Sequence, residues 1–397
     1  MIKIAILGLG TVGTGVARVV ADNARQIERK LGEPLQVKSV LVRRFKDGPY
    51  RQLMTDDFSR IENDPEIRVV VETIGGVEAA YEYTKRALEA GKHVVTANKQ
   101  LVAEKGAELL ALAARKKVHY LFEASVGGGI PVLHPIRECL AANRIEEIYG
   151  ILNGTTNYIL TRMVRTGAFF TDALREAQAK GYAEADPTAD VQGIDAGRKT
   201  CILADLAFGH EVPPEKVPME GITKLSLRDV KIAERAGYRI KLLGRTVRMP
   251  GGGCTAYVAP HLIPEEHPMA NVEDVFNAVA VRGNATGEVM FYGKGAGELP
   301  TASACVSDVM EALTTSASRE EPLWSADGEG FVDPDELHTR FYFRIEGSLT
   351  DAAMAFGQVE VLSEDGETAF LTERISGTDA RQQSAMLNVL ACMRVMN

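Results

Sequence analysis

Residues Met1–Gly13 read MIKIAILGLGTVG, and the fold of the first third of the chain turns on them. Met1 to Leu7 is a short apolar strand. The loop after it, Gly8-Leu-Gly10-Thr11-Val12-Gly13, has the GxGxxG spacing and opens a helix-like run from Val12 to Leu31. At the start of a βαβ unit each glycine has its own task. Gly8 permits the tight turn, Gly10 lets backbone approach a pyrophosphate, and Gly13 lets the helix pack on the sheet. The first amides of the helix, from Thr11 and Val12, then face the phosphates. A lone GxGxxG is a weak signal, but this strand and helix around it favour a bound dinucleotide over an empty glycine turn.

Further strands at Val37–Val42, Val69–Thr73, His93–Thr96 and Val118–Phe122 alternate with helical runs at Val77–Ala90 and Lys99–Lys117. That alternation predicts an α/β, Rossmann-like domain with a mostly parallel sheet covered on both faces. From about 140 to 290 the pattern changes. Strands at Arg144–Ile151, Lys241–Val247, Gly253–Ala259 and Glu288–Tyr292, with helices at Asn157–Thr166, Asp172–Lys180 and Val191–Ala207, predict an α+β domain with a largely antiparallel sheet. A helix from about Thr301 returns to the first domain. Thr314 to Leu337 carries many small, acidic and turn residues. The expected organisation is a dinucleotide-binding domain over 1–142 completed by 293–320, a catalytic domain over 143–292, a linker over 321–337, and a small α+β tail over 338–397 whose last helix spans Asp379–Leu390.

The 397 residues suffice for two or three domains with real cores, and 45 Lys plus Arg against 54 Asp plus Glu give a net charge of −9. That balance argues against a general nucleic-acid binder. Five scattered cysteines form no disulfide framework and no CxxC motif, and the seven histidines form no zinc pattern. With no signal peptide and no apolar run long enough for a membrane span, the expectation is a cytoplasmic protein.

The second strand bears on which dinucleotide binds. An NAD site usually puts an acid at its end. Here the strand runs into Val42-Arg43-Arg44-Phe45-Lys46. Three cations suit a 2′-phosphate and favour NADP; they stack equally well on adenine, which leaves NAD open. Along the same sheet edge come Gly75-Gly76 and Ala97-Asn98-Lys99. Lys99 stands where a nicotinamide or a reacting group lies in such sheets, and Asn98 is either part of that site or an N-cap.

The segment Glu184-Ala-Asp186-Pro187-Thr-Ala-Asp190 precedes a helix on which Asp195 and Lys199 lie four apart on one face. The pair is either a helix-stabilising ion pair or a lysine fixed by a carboxylate for proton transfer. Glu184 and Asp195 also suit a substrate ammonium. The run Glu123-Ala-Ser-Val126-Gly-Gly128-Gly-Ile130-Pro131 reads as a hinge, or as a loop whose carbonyls converge on a small hard cation. Asn153-Gly-Thr-Thr156-Asn157 either binds a carboxylate or caps a helix.

Six segments together resemble the homoserine dehydrogenase family: GLGTVG at Gly8–Gly13, ANK at Ala97–Lys99, EASVGGGIP at Glu123–Pro131, LNGTTNYIL at Leu152–Leu160, GYAEADPTADVQGIDAGRK at Gly181–Lys199 and YGKGAGELPTA at Tyr292–Ala302. The match runs over roughly residues 1–320. The resemblance implies interconversion of L-homoserine and L-aspartate 4-semialdehyde with NADP or NAD, on the route to threonine, methionine and isoleucine. It implies Lys199 and Lys99 as catalytic lysines, with Glu184, Asp190, Asp195, Thr156 and Tyr182 around the substrate. The cofactor residues it implies are Gly8, Gly10, Thr11, Val12, Gly13, Arg43, Arg44, Lys46, Gly75, Asn98, Lys99, Gly181 and Gly297. Glu123, Val126, Gly128 and Ile130 match a sodium-binding loop, which replaces the hinge reading. A homodimer or larger homo-oligomer is implied, with no nucleic-acid or membrane partner. Oxidation requires a neutral lysine and is expected to favour alkaline pH. A dehydrogenase acting on aspartate and a cofactor-sensing regulator are the rival readings; the continuous match from Glu184 to Lys199 disfavours the first, and intact Lys99, Lys199, Glu184 and Asp195 disfavour the second.

The tail resembles an ACT domain loosely. Phe341-Tyr-Phe-Arg-Ile-Glu fits an opening strand, but Leu349-Thr-Asp351-Ala-Ala stands where an Asp-x-Pro-Gly signature is expected. Threonine control and a structural or oligomer-forming role both remain open for it.

Overall fold

Ile2, Ile4, Ala5, Ile6 and Leu7 are all buried, and the strand they form has neighbours on both sides. In the computed structural model, which describes residues 1–317, 323–326 and 330–396, the chain divides into two compact units. The first comprises Met1–Ala142, Asp205–Pro214 and Gly293–Gly328; the second comprises Asn143–Ala204, Glu215–Tyr292 and Glu329–Asn397. Residues 318–322, 327–329 and 397, within the segments expected to close the first domain, to link, and to end the tail, lie outside the described residues.

The first unit is a Rossmann-like domain. Strands β1 (Ile2–Leu7), β2 (Leu35–Leu41), β3 (Met54–Thr55), β4 (Ile67–Glu72), β5 (His93–Thr96) and β6 (Tyr120–Leu121) form one sheet in the order β3-β2-β1-β4-β5-β6. Every pairing is parallel. The order reverses between β1 and β4, which opens a crevice beyond their carboxyl ends. The single helix expected from Val12 to Leu31 is two, Thr11–Asp22 and Ala24–Leu31, divided at Asn23. The helix Glu298–Thr314 packs against the first of them, and Arg18 pairs with Glu298 at 2.7 Å. Trp324, within the segment expected to be a linker, is buried and meets Phe122 edge-on at 5.5 Å.

The second unit holds a nine-stranded sheet. Its members are β7 (Ile145–Ile151), β8 (Tyr238–Arg248), β9 (Cys254–Pro264), β10 (Phe276–Gly283), β11 (Gly287–Lys294), β12 (Arg340–Ile345), β13 (Val359–Glu364), β14 (Thr368–Thr372) and β15 (Val389–Val395). The order is β11-β10-β7-β8-β9-β15-β12-β14-β13. Antiparallel pairing of β7 with β8 and β10, and of β8 with β9, makes the catalytic part an α+β fold. The tail does not stand apart from it. Its last strand lies parallel to β9, with Arg394 opposite His261 and Val395 opposite Leu262. The helix expected over Asp379–Leu390 ends at Ser384, and the apolar run from Val389 is already β15.

The tail runs strand, helix (Leu349–Phe356), strand, strand, helix (Gly377–Ser384), strand, in the spatial order β15-β12-β14-β13. Phe341, Phe343, Ile345, Phe370 and Ala380 form its core. Arg344 ties it to the catalytic part. Its guanidinium donates to both oxygens of Asp229, at 2.7 and 3.1 Å, and Asp229 is fully buried. Among the described residues no helix is long and apolar enough to cross a membrane.

Candidate active site

In the first unit the loops after β1 and β4 border the crevice at the carboxyl ends of the strands. Gly8 adopts φ +94°, a left-handed value that a side chain disfavours. A Cβ on Gly13 would lie 2.1 Å from the Gly8 carbonyl oxygen, so the helix can start this close only as glycine. Gly10, the N-cap, has no atom within 4 Å of where a Cβ would point. That open side is the room a pyrophosphate needs, with Thr11 and Val12 beginning the helix behind it. The Thr73 hydroxyl donates to the carbonyls of Leu7 and Gly8, at 2.9 and 3.1 Å, and so ties the loop after β4 to the loop after β1.

Asn98 is the N-cap of the helix that follows it. Its Oδ1 caps the helix Lys99–Lys116 by accepting from Leu101, while its Nδ2 donates to the carbonyls of Ile74 and Gly76, at 3.1 and 2.6 Å. Gly75 is exposed between those two anchors, and Lys99 is half-buried as the first residue of the helix. Beneath them Glu72 is fully buried. It accepts from the Ile74 N–H and the Thr96 hydroxyl, both at 2.5 Å, and burial pushes its carboxyl up to about 7. Arg43, Arg44 and Lys46 follow β2 on an exposed loop, where the Arg51 guanidinium lies 4.5 Å from the Phe45 ring centre. Gly297, at φ +127°, caps the helix Glu298–Thr314.

The loop 123–131 also lies in the first unit. The buried Glu123 carboxylate accepts from the N–H groups of Val132, Leu133 and His134, at 2.6, 3.0 and 2.6 Å. Burial still raises its pKa, against those three donors. A Cβ on Gly128 would lie 2.4 Å from the Gly295 carbonyl oxygen, so the triple glycine is what lets residues 293–300 approach. Among the described residues no N–H donates to the carbonyls of Val126, Gly128 or Ile130. No cluster of three or more His, Cys, Asp or Glu suited to a metal occurs among them either.

In the second unit Lys199 is the centre. It sits on the helix Ile194–Phe208 and is only 8% exposed. Its ammonium donates to the Leu152 carbonyl at 2.6 Å and to Asp195 Oδ2 at 2.7 Å. Asp195 is buried too. The Asn153 Nδ2 donates to Asp195 at 2.9 Å and to Asp190 at 2.7 Å. Asp190 is half-buried, and desolvation, followed by the nearby Asp195 charge, raises its pKa against the Asn153 hydrogen bond. The structure thus gathers Asp190, Asp195 and Lys199 into one polar cluster.

Other expected substrate residues are placed differently. Thr156 is buried, and its hydroxyl donates to the Asn153 carbonyl and to Asn153 Oδ1, inside the start of the helix Gly154–Thr166. Glu184 is exposed; its backbone carbonyl accepts from Gln178. Tyr182 is 44% exposed beside Tyr158, and Gly181 precedes it at φ +74°. Thr73 and Glu72 were not singled out by the sequence reading, and Asn153 was read there only within a segment that binds a carboxylate or caps a helix. A cavity of about 460 Å³ flanks β6, lined by Leu110, Tyr120, His134, Arg137 and Glu311, but holds none of the expected site residues.

Comparison with known proteins bears on this geometry. The homoserine dehydrogenase family model matches residues 131–310, and the model for the NAD-binding domain of homoserine dehydrogenase matches residues 8–123. A homoserine dehydrogenase of Neisseria gonorrhoeae is 43% identical over 373 residues, covering 91% of this chain and 85% of the relative. The crystal structure of a homoserine dehydrogenase from Thiobacillus denitrificans superposes with a TM-score of 0.90 at 38% identity, covering 100% of this chain and 98% of that one. A hyperthermophilic archaeal homoserine dehydrogenase in complex with NADPH superposes with a TM-score of 0.66 at 29% identity, covering 78% of this chain and 97% of that one.

Proposed function

The chain belongs to the homoserine dehydrogenase family, and on that premise we propose how its residues serve the reaction. It is an NAD(P)-dependent oxidoreductase that interconverts L-homoserine and L-aspartate 4-semialdehyde, a step of amino-acid biosynthesis. The observation that carries the assignment of roles is the Lys199 ammonium, buried and held by Asp195 and the Leu152 carbonyl.

When bound, the reduced nicotinamide supplies the hydride that reduces the aldehyde carbon. Lys199 gives its proton to the aldehyde oxygen as negative charge develops there, and takes it back when the alcohol is oxidised. Asp195 and the Leu152 carbonyl orient the ammonium. Asp190, Asp195 and Glu184 supply negative charge for the substrate ammonium, and Thr156 and Tyr182 shape the wall behind it. Lys99, at the carboxyl edge of the parallel sheet, assists as a second cation near the nicotinamide. Gly8, Gly10, Thr11, Val12, Gly13, Gly75, Asn98, Gly181 and Gly297 hold the dinucleotide. Assaying reduction of aspartate semialdehyde with NADPH and NADH separately, in wild type and in Lys199→Ala, tests this scheme. Near-full turnover in the variant would remove Lys199 from it.

Arg43, Arg44 and Lys46 favour NADP, because an exposed cationic loop beyond β2 suits a 2′-phosphate. A sodium ion in the loop 123–131 is held by the carbonyls of Val126, Gly128 and Ile130, which hydrogen bonds leave open. Glu123 contributes negative charge behind the loop, since its oxygens already accept from three N–H groups. The ion's part would be structural: it would neutralise these carbonyls and stiffen the segment. The enzyme is a homodimer; the edge strand β11, with Met290 and Tyr292 exposed, suits self-association. Residues 338–396 form an ACT-like module, supported by their βαββαβ order and antiparallel pairing. Its insertion into the catalytic sheet favours a structural part over threonine control. Activity measured with and without threonine separates these two.

A further inference from the structure

We propose that Asn153 is a positioning residue of this dehydrogenase: its amide nitrogen divides two N–H groups between Asp190 and Asp195, keeping both carboxylates ionised and Asp195 aimed at Lys199. The inference rests on the reading of Lys199 given above and goes beyond it.

The first support is that the amide can face only one way. Asn153 Oδ1 accepts from the Thr156 N–H at 2.9 Å and from its hydroxyl at 3.1 Å, capping the helix Gly154–Thr166. Flipping the amide would put an NH₂ group against those donors and an oxygen against two carboxylates. The helix cap therefore holds the Nδ2 group on the acids, 2.7 Å from Asp190 and 2.9 Å from Asp195. Asn153 itself is 5% exposed, so these bonds form away from bulk water.

The second support is adjacency. Residues 152 and 153 leave β7 together, and each holds one half of the ion pair. The Leu152 carbonyl accepts from the lysine, and the Asn153 side chain donates to the lysine's partner. A shift at this strand end moves both halves at once.

The third support is charge. The charged groups facing Asp190 are Asp195, which disfavours its ionisation, and Lys199, which favours it; the hydrogen bonds from Asn153 and Thr155 also favour the anion. Two close carboxylates and one ammonium leave an excess negative charge in a partly desolvated place. Without the Asn153 donors the pair takes up a proton more readily. A protonated Asp195 is no longer an anion to hold Lys199.

Asn153→Thr and Asn153→Ser test this, because both residues cap helices yet offer no amide N–H to the acids. The expected result is at least a tenfold fall in kcat, with cofactor Kd and Tm close to wild type. In Asn153→Ser the acid limb of the kcat profile should move up by about one to two pH units, the worth of a hydrogen bond to a charged group. Wild-type kcat with an unmoved acid limb in both variants overturns the proposal. So does a loss of activity that simply tracks a fall in Tm, which would leave Asn153 as a cap alone. Carbon-13 NMR titration of the aspartate carboxyls in wild type and Asn153→Ser reads the coupling without turnover. There Asp190 should titrate higher in the variant, and an identical titration counts against the role. Lack of wild-type turnover would instead refute the reading of the reaction.

Discussion

Lys199 and Asp195 are one helical turn apart and form an almost fully buried ion pair, with 2.7 Å between nitrogen and oxygen. Spacing of this kind on an exposed helix contributes only a few tenths of a kcal/mol. Buried, it becomes a group that must be kept whole, because removing one partner strands the other's charge.

Replacing Lys199 with Met should therefore have two separable effects. The proton-transfer function should go, lowering kcat in both directions by roughly 10²–10⁴. Asp195 should be left as an uncompensated anion, lowering stability by about 3–5 kcal/mol. The double variant Lys199→Met/Asp195→Leu should recover much of the stability and none of the activity. Steady-state kinetics beside urea denaturation checks both halves. Recovery of turnover in the double variant would refute the role.

Gly10 and Gly13 should fail differently. Gly13→Ala puts a methyl group 2.1 Å from the Gly8 carbonyl oxygen and should destabilise the fold by about 1–3 kcal/mol as well as weakening cofactor binding. Gly10→Ala meets nothing within 4 Å, so its Tm should match wild type while its cofactor Kd rises at least tenfold. Calorimetry with NADPH titration distinguishes them; a Gly10→Ala protein with unchanged Kd would move the pyrophosphate elsewhere.

Glu72 should make stability fall as pH rises. Burial lifts its carboxyl from an ordinary 4.5 to about 7, so between those values the folded chain keeps a proton that the unfolded chain releases. Its stabilising share is complete below about pH 4.5 and lost as pH passes 7, a difference of about 3 kcal/mol. Glu72→Gln, neutral throughout, should flatten that part of the curve. Urea midpoints at pH 5 and pH 8 in both proteins test it: equal slopes would mean the carboxyl titrates normally.

Arg344→Met should unfold the tail's junction. The substitution leaves Asp229, fully buried, with only the Tyr342 hydroxyl and the Ser226 groups as partners. The expected loss is about 3–5 kcal/mol. Because the tail strands share a sheet with the catalytic strands, unfolding should remain one transition followed equally by circular dichroism and by activity. An early separate transition would mean the tail folds independently.

Much of the first unit was legible in local pattern. The strand, the glycine spacing and the helix after them lie within 22 residues of the amino terminus, and each leaves a mark on nearby residue types. The Asp195–Lys199 pair was visible for the same reason, since helical spacing brings the two together. Asn153 was legible only within a carboxylate-binding or helix-capping segment; its hold on Asp190 and Asp195 was not, because those partners lie 37 and 42 residues further along. Thr73 and Glu72 were hidden likewise, being ordinary at a strand end until the neighbouring loops are placed. Strand β10 and the entry of β15 beside β9 depend on register between remote segments, which no local periodicity encodes. The helix over-extended to Leu390 shows the opposite failure. Good helix formers run on through Met386 and Leu387, and only pairing with β9 and β12 decides that Val389 is extended.

Strand β15 lies fourth from the β13 border of its sheet, between β9 and β12, rather than at the rim. During synthesis, β7 to β11 emerge with one flank of β9 still waiting for a partner encoded over a hundred residues later. The second unit can close only after residues 389–395 clear the ribosome. Until then a long apolar flank is open to mispairing. Chaperone demand should accordingly persist until Val389–Val395 emerge, and a chain stalled before Val389 should be a target for proteolysis.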